Sequence, residues 1–264
     1  MQITKCLLIL ALTSCSSMQQ FTSKPHEEGI LHVDFEQSAL GDYDRVSIEA
    51  DFDSIEWALT KQRGHIVSGE NENQFLRVSF PKGSVGPEQG GIQFVRPLKP
   101  AKEYYLTYDL YFEEGFDFSK GGKLPGLTSG GATYTGGVHP DEGQGWSARY
   151  MWVANKPIVY LYYKDMAGKY GESLPLNAEI KPGNWYTFTQ HIRVNQPDQE
   201  NALIEVWING QKVGSKENFA LRKGDLGLID SFYFSTFHGG ATADWAPQTD
   251  SYIRFDNFRI YSKD

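Results

Sequence analysis

Cysteine is nearly missing from this chain of 264 residues: Cys6 and Cys15 are its two, both within the first fifteen positions. The remainder therefore carries neither a disulfide framework nor a thiolate metal site. Basic charge is short as well. Lys and Arg total 25 against 33 Asp and Glu, a formal net charge of −8. Such a chain has no general attraction for polyphosphate, and no nucleic-acid partner is expected. The apolar run at residues 6–12 falls well below the roughly 20 residues that span a bilayer. Helical periodicity is weak, with one turn expected at most, at residues 215–223. A Walker spacing is absent, and so is the Glu-x-Asp-x-x-Glu pattern of many sandwich-fold hydrolases.

What is present is apolar and aromatic. Hydrophobic residues make up 40 %, enough for a real core, and aromatics reach 14 % beside 27 glycines. Many rings with many glycines suit strands, tight turns and a stacking surface for a flat ligand such as a sugar. At the start, Lys5 precedes the apolar run, which fits a secretory signal. Leu12-Thr13-Ser14-Cys15 resembles a bacterial lipobox, whose cysteine becomes the lipidated first residue. The expectation is a signal at 1–14, lipidated Cys15 with a tether over 15–29, and one domain over 30–264. Ser16 after the cysteine implies, by that resemblance, the outer membrane of a bacterial envelope.

Strand signals recur along the domain. Residues 104–112 are dense in β-formers, and 185–194 alternate with Thr187, Thr189, His191 and Arg193 on one face. Residues 202–208 lead into Asn209-Gly210, a hairpin signal, and 252–260 read as a closing strand. Many strands in one unit imply an all-β fold, a jelly roll or concanavalin-like sandwich of two antiparallel sheets.

Four segments carry candidate chemistry. Gly121-Gly122-Lys123-Leu124-Pro125-Gly126-Leu127 reads as a glycine-rich loop presenting a lysine. Trp146 to Trp152, as a strand, puts Ser147, Arg149 and Met151 on one face. Ile158 to Tyr163 follows closely, so a hairpin would bring Tyr160 and Tyr162 near Arg149 and Ser147. Phe232 to Gly240, containing Thr236 and His238, reads as a strand ending at a sheet rim. Each segment alone also fits an ordinary turn or half-buried strand.

Together and in this order they resemble polysaccharide lyase family 14, which holds alginate and glucuronan-type lyases on a β-jelly roll. The resemblance implies an active site of Lys123, Ser147, Arg149, Tyr160 and Tyr162. Trp146, His191, Thr236 and His238 are expected to contact sugar. A uronate lyase removes the C5 proton beside a carboxylate, so a cation must stabilise the charge that develops. Arg149 can grip a carboxylate through two donors, and Ser147 can add a third. Lys123 and a tyrosine are the acid and base candidates, with the assignment between them open. Attraction for an anionic polysaccharide must be local, from Lys123, Arg149 and Lys164. No cofactor and no metal are expected; Asp34, Glu36 and Asp256 supply three of the six or more oxygens calcium takes. The alternatives are a concanavalin-like hydrolase and a non-catalytic carbohydrate-binding lipoprotein.

Overall fold

The computed structural model describes residues 27–263; the expected signal, Cys15 and most of the tether lie outside them. In chain order the strands begin with β1 (Glu27–Val33), β2 (Gly41–Asp42), β3 (Trp57–Leu59), β4 (Gly64–Ser68), β5 (Gln74–Phe80), β6 (Ile92–Ala101), β7 (Glu103–Phe112) and β8 (Gly122–Ser129). They continue with β9 (Trp146–Val153), β10 (Lys156–Tyr162), β11 (Glu172–Pro175), β12 (Trp185–Arg193), β13 (Leu203–Ile208), β14 (Gln211–Glu217), β15 (Ile229–His238) and β16 (Ser251–Lys263).

The strands form two antiparallel sheets. A nine-stranded sheet runs β14-β13-β12-β7-β16-β5-β4-β2, with β1 beside the end of β16. A seven-stranded sheet runs β11-β10-β9-β8-β15-β6-β3. Alternation decides the layers. On β7, Tyr104, Leu106, Tyr108, Leu110 and Phe112 are buried between the sheets, whereas Tyr105, Thr107, Asp109 and Tyr111 face outward. On β9 the inward set is Trp146, Ala148, Tyr150 and Trp152. Fully burying such side chains stabilises the fold by roughly 1.5–3 kcal/mol each. The result is the expected jelly roll of two packed sheets.

The strands expected at 104–112, 185–194, 202–208 and 252–260 appear as β7, β12, β13 and β16. Asn209 and Gly210 take φ of +51° and +76°, as a two-residue hairpin turn of the right twist requires. The helical turn expected at 215–223 does not form, because β14 continues to Glu217 beside β13. An α-helix forms instead at α1 (Arg45–Phe52). Asp44 caps it by accepting the Ser47 N–H at 3.0 Å, and Ile48 and Phe52, four apart, bury one face.

The lysine segment is also corrected. It is strand β8, not a loop. Its register against β9 slips by one residue between Leu124 and Gly126, leaving Pro125 as the extra residue of a bulge, a place where proline's missing N–H does no harm.

His238 ends β15 with its ring inside the core, 5.4 Å from Phe80, 5.6 Å from Phe116 and 5.3 Å from Trp152 between centroids. Its Nε2 lies 2.8 Å from the Asp117 carbonyl oxygen, which places the proton on Nε2. Burial pushes its pKa down, against a smaller upward pull from Asp117. The unfolded chain then binds this proton more readily than the fold does. Stability is complete above the unfolded value near pH 6.5 and is lost as pH falls through the folded value. Urea midpoints should therefore drop below about pH 6.5, and His238→Phe should flatten that limb. Identical slopes for the two proteins would refute this account.

Candidate active site

The central strands of the seven-stranded sheet assemble one cluster on its outer face. Tyr160 lies opposite Arg149 and Tyr162 opposite Ser147 across the β9–β10 hairpin. On the other side of β9, Lys123 lies opposite Met151. Beyond β8, Phe237 lies opposite Lys123, and Ser235 pairs with Gln93 of β6. Lys123, Ser147, Arg149, Tyr160 and Tyr162 are thus brought together from three adjacent strands.

Arg149 is the centre of this cluster. It is 2 % exposed, and no carboxylate lies within ion-pair distance of it among the described residues. Its Nη1 donates to Ser235 Oγ at 3.0 Å, and its guanidinium carbon lies 5.1 Å from the centre of the Tyr233 ring. Gln93 fixes both supports by donating to Tyr233 Oη at 2.6 Å and to Ser235 Oγ at 2.9 Å. The Arg149 Nε–H is buried without a hydrogen-bond partner. Desolvation lowers the pKa of this guanidinium, and the tyrosines around it oppose the shift.

Lys123 is half-buried beside it. Its Nζ contacts Met151 Sδ at 2.7 Å and lies 4.1 Å from the centre of the Tyr160 ring. Neither neighbour is a carboxylate, and a thioether is a weak acceptor. Burial first, and the Arg149 charge second, hold the Lys123 pKa well below the usual lysine value. Tyr160 moves the other way. Burial and the adjacent Tyr162 raise its pKa, with Arg149 opposing, and the two rings meet edge to face at 5.5 Å. Tyr162 is buried, and its hydroxyl oxygen accepts the Gly137 N–H at 3.2 Å. The site therefore holds an amine biased toward its neutral form beside a phenol biased toward keeping its proton.

The family model of polysaccharide lyase 14 matches residues 68–258. The chain belongs to polysaccharide lyase family 14. A search of curated proteins returned no match. Among solved structures, the alginate lyase Aly36B is 28 % identical, with a TM-score of 0.77 over 88 % of this chain and 96 % of that one. It has also been solved as a lysine–tyrosine double mutant with an alginate tetrasaccharide, and as a lysine–methionine double mutant with a trisaccharide. The alginate lyase of Aplysia kurodai is 24 % identical, with a TM-score of 0.75 over 88 % and 98 % of the two chains. The glucuronan lyase of Trichoderma reesei is 12 % identical, with a TM-score of 0.56 over 86 % and 95 %. These last two share the fold.

In this lyase several residues singled out from sequence lie elsewhere. Ser147 is in the cluster, but its hydroxyl donates to the Tyr134 carbonyl at 2.7 Å. It ties down the segment between β8 and β9 instead of facing a ligand. Trp146 points into the core, and its indole N–H donates to the Gly227 carbonyl at 2.9 Å. Thr236 and His238 are buried on the inward side of β15, the opposite parity from Tyr233 and Ser235. His191 lies on the other sheet, on its outer face. There its ring nitrogens sit 2.6 Å from Glu103 and 2.9 Å from Glu205, and its ring stacks on Tyr105 at 4.1 Å. Sugar contact by Trp146, Thr236, His238 and His191 is not supported. The residues that sequence reasoning missed are Gln93, Tyr233 and Ser235. Ser235 and Tyr233 lay within the fourth segment, at the alternate positions.

Gly126 sets the height of Arg149. A Cβ there would fall 2.3 Å from the Ala148 carbonyl oxygen and 2.6 Å from Arg149 Cα. Both obstacles are backbone, so neither can swing aside. Gly126→Ala should lower stability by about 1–3 kcal/mol, read from urea unfolding, and should depress activity in the protein that remains folded. An unchanged urea midpoint would show that β9 yields freely and would refute the constraint.

Proposed function

We propose that this lyase cleaves a uronate-containing polysaccharide by β-elimination, with alginate the first candidate and glucuronan the second. The observation that carries this reading is Arg149, a buried cation with a free Nε–H and no carboxylate of its own among the described residues. A buried charge left without a counter-charge is costly. A ligand carboxylate would relieve that cost by accepting the free donor. The alginate oligosaccharides bound to mutants of a 28 % identical lyase support the same substrate class.

The two shifted groups suit the two proton transfers. Neutral Lys123 takes the C5 proton with its lone pair. The C–H electrons form the C4–C5 double bond as the C4–O bond breaks, and Tyr160 gives its proton to the departing oxygen. Arg149 stabilises the charge that builds on the carboxylate during C5 deprotonation. Export and lipidation at Cys15 would place this reaction at the bacterial outer membrane, the location the amino-terminal pattern implies.

Elimination creates a conjugated double bond that absorbs in the ultraviolet, whereas hydrolysis and binding do not. Incubation with alginate blocks and glucuronan should give rising absorbance, and Lys123→Ala should cut the rate by about 10²–10⁴. New reducing ends without absorbance would end the elimination reading. Because the neutral amine is the working form, kcat/KM should rise with pH. Its ascending limb should lie well below the ordinary lysine value of about 10.4. A limb at that ordinary value, or none, would remove Lys123 as the base.

A further inference from the structure

The outer face of the nine-stranded sheet lies across the core from Arg149. It carries a depression of about 440 Å³ lined by Phe75, Tyr111 and Trp185 and by Asp109, Asp256 and Asn257, among others. That volume is within the range of small-molecule sites. Trp185 is 42 % exposed, an uncommon state for so large an apolar ring. It is braced by Tyr111 at 5.3 Å and Phe75 at 6.0 Å between centroids. The indole is therefore held as a fixed flat surface beside the polar residues.

The polar floor comes from a bulge. The register of β16 against β7 slips between Asp256 and Arg259, and Asn257 takes φ of +53°. Phe255 and Phe258 both point into the core, so Asp256 and Asn257 turn outward as consecutive residues. Strict alternation would have hidden one of them. Bulges of this kind re-aim side chains next to sites. Asn257 Nδ2 donates to Asp109 at 2.9 Å, Thr187 Oγ1 donates to Asp109 at 2.5 Å, and Asn73 Nδ2 donates to Asp256 at 3.3 Å. These bonds fix the carboxylates, and each oxygen keeps a lone pair for a further donor.

A flat apolar ring beside positioned acceptors matches a pyranose, which offers a face of C–H groups and a rim of hydroxyl donors. The charge selects among pyranoses. Asp109, Asp256 and Glu70 line the depression against a single cation, Arg254. That cation is already paired with Glu113 at 2.7 Å. A uronate would meet uncompensated negative charge. We propose that this face is a second carbohydrate site, independent of the lyase centre, that binds an uncharged saccharide through Trp185, Asp109 and Asp256.

The test is calorimetric titration of the protein with cellohexaose, laminarihexaose and mannohexaose, beside an alginate hexasaccharide with Lys123→Ala to prevent cleavage. At least one uncharged hexasaccharide should bind in the submillimolar range. Trp185→Ala should weaken it at least tenfold without moving the thermal midpoint, and Asp256→Asn should weaken it as well. Lys123→Ala should leave it intact. The site is overturned if none of the three binds at millimolar concentration, or if binding survives Trp185→Ala. It is equally overturned if the alginate hexasaccharide is the ligand whose binding Trp185→Ala abolishes.

Discussion

A guanidinium out of water, with no carboxylate to answer it, is the constraint on which the active face depends. Arg149 tolerates that position because Ser235 accepts one of its protons, the Tyr233 ring lies against it and Gln93 holds both in place. These supports come from β15 and β6, which lie two and three places from β9 in the sheet, beyond β8. The Arg149 charge also acts sideways, on Lys123 and Tyr160. Burial dominates both of those shifts, so the same exclusion of water that makes Arg149 costly prepares its neighbours. A conservative exchange for lysine would keep the charge but lose the planar donors.

Local pattern made much of this legible. The hairpin of β9 and β10 is short in sequence, so the pairing of Arg149 with Tyr160 and of Ser147 with Tyr162 followed from spacing and alternation. The Asn209-Gly210 turn was legible for the same reason. Long-range facts were not. Alternation puts His191 on the polar face of β12, yet nothing local says which sheet that strand joins. Gln93 and Tyr233 are 140 residues apart, and no motif links them. From sequence Thr236 and His238 look like rim residues, and the structure buries both, because a strand's two faces look alike until its neighbours fix which one is inside. The bulge at Pro125 looked like a loop because glycine and proline mark both. The α1 signal, Asp44 with Ile48 and Phe52, was present but brief among strong strand patterns.

The sandwich uses its two outer faces differently. Both are sheet surfaces where polar and aromatic side chains alternate with core residues. On one, three central strands gather cations and phenols without acids. On the other, β7, β12 and β16 gather carboxylates, amides and an exposed indole. In each case a bulge breaks the alternation at the decisive place, Pro125 beneath Arg149 and Asn257 beside Asp256. The interior is indifferent to this difference, since the same alternating apolar set fills it from both sides.

The contact between Lys123 and Met151 ties the amine to the oxidation state of its neighbour. A thioether leaves the ammonium poorly solvated. Converted to a sulfoxide, the same side chain would present a strongly polar oxygen. That oxygen would favour the charged amine and oppose the bias that burial and Arg149 impose. The lysine's readiness to accept a proton therefore depends on that sulfur staying a thioether, and burial of Met151, 4 % exposed, keeps it one.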